Sequence, residues 1–314
     1  MYLKNLIKYI IVLLFLLVVL GVIYLNEDFV NNLYKDILYK DEDYKTINKN
    51  EYYRDYDFTY VQNVNEMIAH KKSDIKNIYY TGLNTGATSF EFKCANEYKN
   101  CIKDVEELAN NNNKLSDINN FVHPYNSFKN IHTTYTNLGI VTVEIIHMYS
   151  KEDIEAINTK IDAIYPALTQ GYNKDDENSI INAITTAHNY IVNTTRYDSD
   201  RADNKIINYR SDVAYGPLFE GYALCGGYTD LMELILEKMG LKSYRVSSKM
   251  HIWNAVNINN RWYNVDLTWD DPVTNTGDQI LLTEYLLIDS NTMLKKDTSQ
   301  HSFNQEVYSE LKST

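Results

Sequence analysis

The stretch "GYALCGGYTDLMELILEKMGLKSYRVSSKMHIWNAVNINNRWYNVDLTWDD" (221–271) holds one cysteine, one histidine and all three tryptophans of a 314-residue chain. Its two halves have different periods. "CGGYTDLMELILEKMG" combines strong helix formers with Leu231, Met232, Leu234, Ile235, Leu236 and Met239, so it is apolar nearly all round. It ends at Gly240, a residue favoured just past a helix. A central, buried helix with Cys225 at its N-terminus follows. The positive end of a helix dipole favours a thiolate, and Gly226 and Gly227 leave room for another chain to approach the sulfur.

The second half, "HIWNAVNI" and "RWYNVDLTW", reads as two strands joined by Asn259-Asn260. Two asparagines tolerate positive φ, which specifies a two-residue type I′ hairpin. Such a turn sets Ile258 opposite Arg261, Trp253 opposite Asp266 and His251 opposite Thr268. His251 and Asp266 then lie on one sheet face as diagonal neighbours, where imidazole and carboxylate can share a hydrogen bond. A slip of one residue would send them to opposite faces. Thiol at a helix N-terminus, base on a strand and orienting acid on the next strand are the needs of nucleophilic catalysis, met in chain order. Taken singly, each residue has a plainer reading: Cys225 as a small buried hydrophobe, His251 as a core histidine, Asp266 as a turn cap, and Trp253, Trp262 and Trp269 as hairpin core.

Those same residues carry a resemblance. "AYGPLFEG", "YALCGGYTDLMELILEKMGL" and "HIWNAVNINNRWYNVDLTWDDP" resemble the transglutaminase-like superfamily in its bacterial, membrane-anchored cell-surface branch; the similarity runs over about 180–303, including "HNYIVNTTRYD" and "EYLLIDSNTML" with His301. The resemblance implies a papain-like core, with Cys225 as nucleophile, His251 as general base and acid, and Asp266 as orienting residue. It also implies acyl chemistry on amides of protein or peptide substrates through a Cys thioester. The superfamily supports hydrolysis and amine transfer and has members without demonstrated activity. Thr229 departs from it, standing where alanine is frequent. Hydrolysis needs no second organised site, so a peptidase or amidase is favoured over a cross-linking enzyme; a catalytically inactive binding or scaffolding module on the same fold is the alternative. The Cys225 backbone N–H is one oxyanion donor by position. Tyr215 is a candidate for the second, with Trp253 and Trp269 as cleft candidates.

The rest of the chain sets limits. A net charge of −12 without a Lys/Arg block excludes a phosphate-binding face, and with it nucleic acid. There is no H-E-x-x-H, C-x-x-C, G-x-S-x-G, Walker loop or G-x-G-x-x-G, so no metal and no cofactor is expected. The acidic "DDPVTNTGD" lacks EF-hand spacing and reads as a solvated loop. His188 lies on or beside the apolar face formed by Ile180, Ile184, Ala187 and Ile191, where its plainer role is a hydrogen bond to a neighbour.

At the N-terminus, Tyr9–Leu25 is uncharged and almost wholly apolar, with Lys4 and Lys8 before it and Glu27 and Asp28 after it. No small-x-small cleavage site follows. The expectation is an uncleaved transmembrane anchor over residues 1–26, N-terminus cytoplasmic and body outside the cell. Residues 27–60 read as a juxtamembrane spacer, 61–170 as a smaller mixed α/β domain of unassigned role, and 171–314 as the transglutaminase-like domain. The whole is α+β, its nucleophile helix packed on an antiparallel sheet. In an oxidising compartment Cys94 and Cys101, with six residues between them and lying between a strand and a helix, could close a local disulfide and leave Cys225 as the odd thiol.

Overall fold

The computed structural model describes residues 2–26, 48–274 and 278–313. The spacer from 27 to 47, and 275–277 of the acidic loop, lie outside the described residues. Helix α1 is Tyr2–Leu25, and its large side chains from Tyr9 to Leu20 are exposed. Among the described residues no helix is long and apolar enough to cross a membrane, so the anchor finds no support here.

After α1 comes a four-stranded sheet with a helical cover. Strand β1 (Ile68–Ala69) and helix α2 (Lys72–Asn84) precede β2 (Ser89–Cys94), then α3 (Cys101–Ala109) and α4 (Asn112–Asn119) lead to β3 (Phe128–Tyr135) and β4 (Ile140–His147). The sheet order is β1-β2-β4-β3, with β1 parallel to β2 and the other pairs antiparallel. Central β4 buries Ile140, Val141, Val143 and Ile145, whereas edge strand β3 has no buried residue. The β3–β4 turn closes at Gly139, whose φ of 79° suits a residue without Cβ. Cys94 at the end of β2 and Cys101 at the start of α3 are disulfide-bonded, Cα to Cα 5.8 Å.

Helix α5 (Lys151–Leu168) starts in a capping box, Ser150 accepting from the Asp153 N–H and Asp153 from the Ser150 N–H. Helix α6 (Glu177–Thr194) buries Ile180, Ile184, Ala187 and Ile191 as one stripe. A short parallel bridge joins β5 (Arg196–Tyr197) to β6 (Tyr222–Ala223), with α7 (Ser199–Asn204) and a π-turn (Gly216–Glu220) between them. Helix α8 (Cys225–Lys238) is buried from Gly227 to Leu236 and packs on the antiparallel sheet β7 (Ser243–Ser247), β8 (Ile252–Ile258) and β9 (Arg261–Val265), in that order. Asn259 and Asn260 take φ of 50° and 65°, and Ile258 pairs with Arg261. Helix α9 (Ser290–Lys296) follows.

Packing crosses both sequence-drawn boundaries. One core joins Phe58, Phe92 and Phe121 to Tyr244, Trp253 and Tyr308, and the other joins Tyr149 and Ile161 to Met232 and Val256. Residue 170 is therefore not where the packing divides. Residues 48–60 are likewise no free spacer: Arg54 is 2% exposed and pairs with Glu233 at 2.5 Å and Glu237 at 2.7 Å, both on α8. Ser243 Oγ and Asn254 Nδ2 also donate to Glu233, so the buried carboxylate keeps its partners. One turn nearer Cys225, Asp230 accepts from Arg245 at 3.0 Å and from the Tyr149 hydroxyl at 2.6 Å. Arg245 in turn donates to the Asn119 carbonyl and Ser127 hydroxyl. Helix α8 is thus pinned by polar groups from the N-terminal half.

Candidate active site

Cys225 is the first residue of α8 and the one free cysteine among the described residues. The chain close to Gly226 and Gly227 is the protein's own. A Cβ on Gly226 would lie 2.7 Å from the Asp212 carbonyl oxygen, and one on Gly227 would lie 2.4 Å from that of Ser211. The Leu224 N–H also donates to the Ser211 carbonyl at 2.6 Å. Both glycines therefore seat the 211–213 segment against the helix start.

His251 precedes β8 and Asp266 follows β9. Their connection is direct: His251 Nε2 lies 2.5 Å from Asp266 Oδ2, and both side chains are buried. Asp266 Oδ1 accepts the Thr268 N–H at 3.0 Å and the Trp269 N–H at 3.3 Å, which fixes the carboxylate plane. With Nε2 committed to Asp266, Nδ1 is the nitrogen left for the sulfur. Burial opposes charge on His251, but the Asp266 carboxylate and, after it, the Cys225 sulfur outweigh burial and push the imidazole up to about 10. The same partnership, against burial, holds Asp266 well below the usual carboxylate range. A protonated imidazole beside a sulfur can stabilise a thiolate and later give its proton to a leaving group.

His301 completes the group. Its Nε2 lies 2.9 Å from Asp266 Oδ2, the same oxygen that His251 uses, and its Nδ1 lies 3.0 Å from Asp297 Oδ2. Sequence patterning had no means of assigning this role, because His301 sits 35 residues beyond Asp266 in an aperiodic segment. Among the described residues, His251, Asp266 and His301 are the one group of three whose ligand atoms lie within 4.8 Å of one another. One oxygen serving two imidazoles accounts for that closeness through hydrogen bonding alone.

The other candidates separate. Trp253 is 1% exposed, so it does not line a cleft; its Nε1 donates to Asn264 Oδ1 at 2.9 Å and its ring stacks beside His251. Trp269 is half-buried, with its ring against His301 and Tyr285. Tyr215 lies against Phe219 with the Arg210 guanidinium over its ring. His188 has a carboxylate partner as well as its neighbour: Asp270 at 3.1 Å, both fully buried, and Asn189 at 3.0 Å. Asp270 also accepts the Glu284 and Tyr285 N–H groups, so this second pair pins the loop after Trp269. A cleft of about 700 Å³ has Gly226, next to Cys225, and Ile252, next to His251, in its wall; its far side is Ser116, Asn119 and Lys129 of the N-terminal half.

No family model and no curated protein matches this chain. Among solved structures it is similar to a transglutaminase (TGase), with TM-score 0.32 and 16% identity over 45% of each chain. It is also similar to a candidate cysteine protease from Cytophaga hutchinsonii, with TM-score 0.28 and 10% identity over 44% of this chain and 61% of that one. At these scores neither likeness decides what this chain does.

Proposed function

We propose that the protein is a transglutaminase-like thiol enzyme acting on amide bonds of protein or peptide substrates. The observation that carries this reading is the 2.5 Å His251–Asp266 bond beside Cys225, with the sulfur at the start of a buried helix. In the proposed reaction the Cys225 thiolate attacks the amide carbonyl carbon. The C–N bond breaks as His251 gives its proton to the departing amine, leaving a Cys225 thioester. Water then attacks, His251 takes its proton, and a carboxylic acid and the free thiol are the products. An amine in place of water would give a new amide. Hydrolysis is favoured because it requires no second bound substrate. The polar cleft wall of Ser116, Asn119 and Ser248 suits the peptide groups of such a substrate.

The cell-surface location is part of the proposal. It is supported by the Cys94–Cys101 disulfide, a bond that persists in oxidising compartments. The alternative is a scaffold without turnover, which requires a Cys225 of ordinary thiol reactivity. The test is acylation by an activated peptide ester, followed by mass mapping. The proposal requires an adduct on Cys225, lost in Cys225→Ser, that water discharges; hydroxylamine competing for it would report amine transfer. No adduct at Cys225 would support the scaffold.

A further inference from the structure

Asp266 Oδ2 is shared by two imidazoles, and the mechanism uses only one of them. The second, His301, is fully buried and held on every side. Asp297 binds its Nδ1 and is itself fixed by the Ser299 N–H, the Ser299 hydroxyl and the Gln300 N–H. The His301 ring stacks on Tyr285 at 5.1 Å and lies edge-on to Trp253 at 5.2 Å and Trp269 at 4.9 Å. None of those three aromatic side chains has a role of its own in the proposed chemistry.

We propose that His301 is a positioning residue, which through Asp297 holds Asp266 Oδ2 in place and takes up part of its hydrogen-bonding capacity, thereby setting how strongly Asp266 grips His251. The inference rests on the reading of Cys225, His251 and Asp266 as a working triad. Its logic is local: a carboxylate oxygen with two donors offers less to each than an oxygen with one. The segment carrying Asp297 and His301 thus meets the triad at Asp266 Oδ2, with the His301 ring also edge-on to that of His251 at 5.5 Å. The charged and titratable groups around His251 are Cys225 from α8, Asp266 after β9, and His301 with Asp297 and Tyr285 behind it.

Two variants separate positioning from packing. His301→Phe keeps a ring among Tyr285, Trp253 and Trp269 but removes both nitrogens. His301→Gln keeps a donor near Oδ2 but loses the ring. The readout is the low-field proton signal of the His251–Asp266 hydrogen bond at pH 7, recorded on the full-length chain in detergent and assigned by its loss in His251→Gln. The expected result is a downfield shift in His301→Phe, as Oδ2 loses its competing donor, and a near-native signal in His301→Gln despite a lower Tm. A native signal in His301→Phe with a displaced one in His301→Gln would mean packing alone and would overturn the proposal. Should His301→Phe not fold, Asp297→Ala decides: the same downfield shift, smaller, is expected, and an unchanged signal overturns it. The signal does not depend on turnover, so the two failures are distinguishable: an inactive Cys225 sinks the enzyme reading, whereas a His251–Asp266 signal indifferent to His301 sinks this one.

Discussion

At the residue scale the account turns on a charge pair placed out of water. His251 is raised, so its contribution to stability is fully present below the ordinary imidazole value near about 6.5 and is lost as pH rises through about 10. Asp266 is depressed, so its contribution is present above about 4 and is lost as pH falls through its folded-state value. The stability difference between the native chain and His251→Gln should be greatest between about pH 4 and 6.5 and shrink steadily toward pH 10. Thermal melts of both across that range check it; a flat difference would mean that the two groups are not coupled. Asp266→Asn is expected to leave His251 without its acceptor's charge, and thus to lower the alkylation of Cys225 at pH 6 about tenfold or more.

At the element scale, the glycines after Cys225 are where local propensity and tertiary packing conflict. Gly227→Ala should gain up to about 1 kcal/mol in helix propensity. Against this, its Cβ would meet the Ser211 and Val213 carbonyl oxygens at 2.4 and 3.2 Å, both backbone atoms that cannot simply rotate away. A net loss of about 1–2 kcal/mol is expected, together with slower Cys225 alkylation, measured by denaturant melts and peptide mapping. The hairpin was legible in the sequence because its information is local: Asn259-Asn260 fixes the turn, and the turn fixes which face His251 and Asp266 share. The apolar stripe of α6 and the all-round apolar α8 were legible for the same reason. His301 and the 211–213 segment were not, since each meets the site through a contact with no sequence period.

At the scale of the whole molecule, the N-terminal half and the site-bearing half are one packed body. Division at 61 and 170 followed polar composition, yet Arg54 reaches α8 from before the first boundary and Arg245 reaches Asn119 and Ser127 from beyond the second. Removing Arg54 would leave Glu233 charged and buried. Arg54→Met is expected to cost about 3–5 kcal/mol, and a chain beginning at residue 62 to fall short of a cooperative melt. Reduction of Cys94–Cys101 closes off a smaller effect, about 2–3 kcal/mol for so short a loop, readable as a Tm change with and without reductant. If the chain lacking residues 1–61 melts as sharply as the whole, the buried Arg54 pair is ornament and the boundary at 61 is real.

The central claim is tested most directly by the alkylation rate of Cys225 against pH, in the native chain and in His251→Ala, with the cysteines distinguished by peptide mapping. The account predicts that the native chain reacts readily at pH 6 and that His251→Ala loses about tenfold or more of that rate. A Cys225 that is unreactive, or indifferent to His251, would contradict it and leave a binding module on an enzyme's fold.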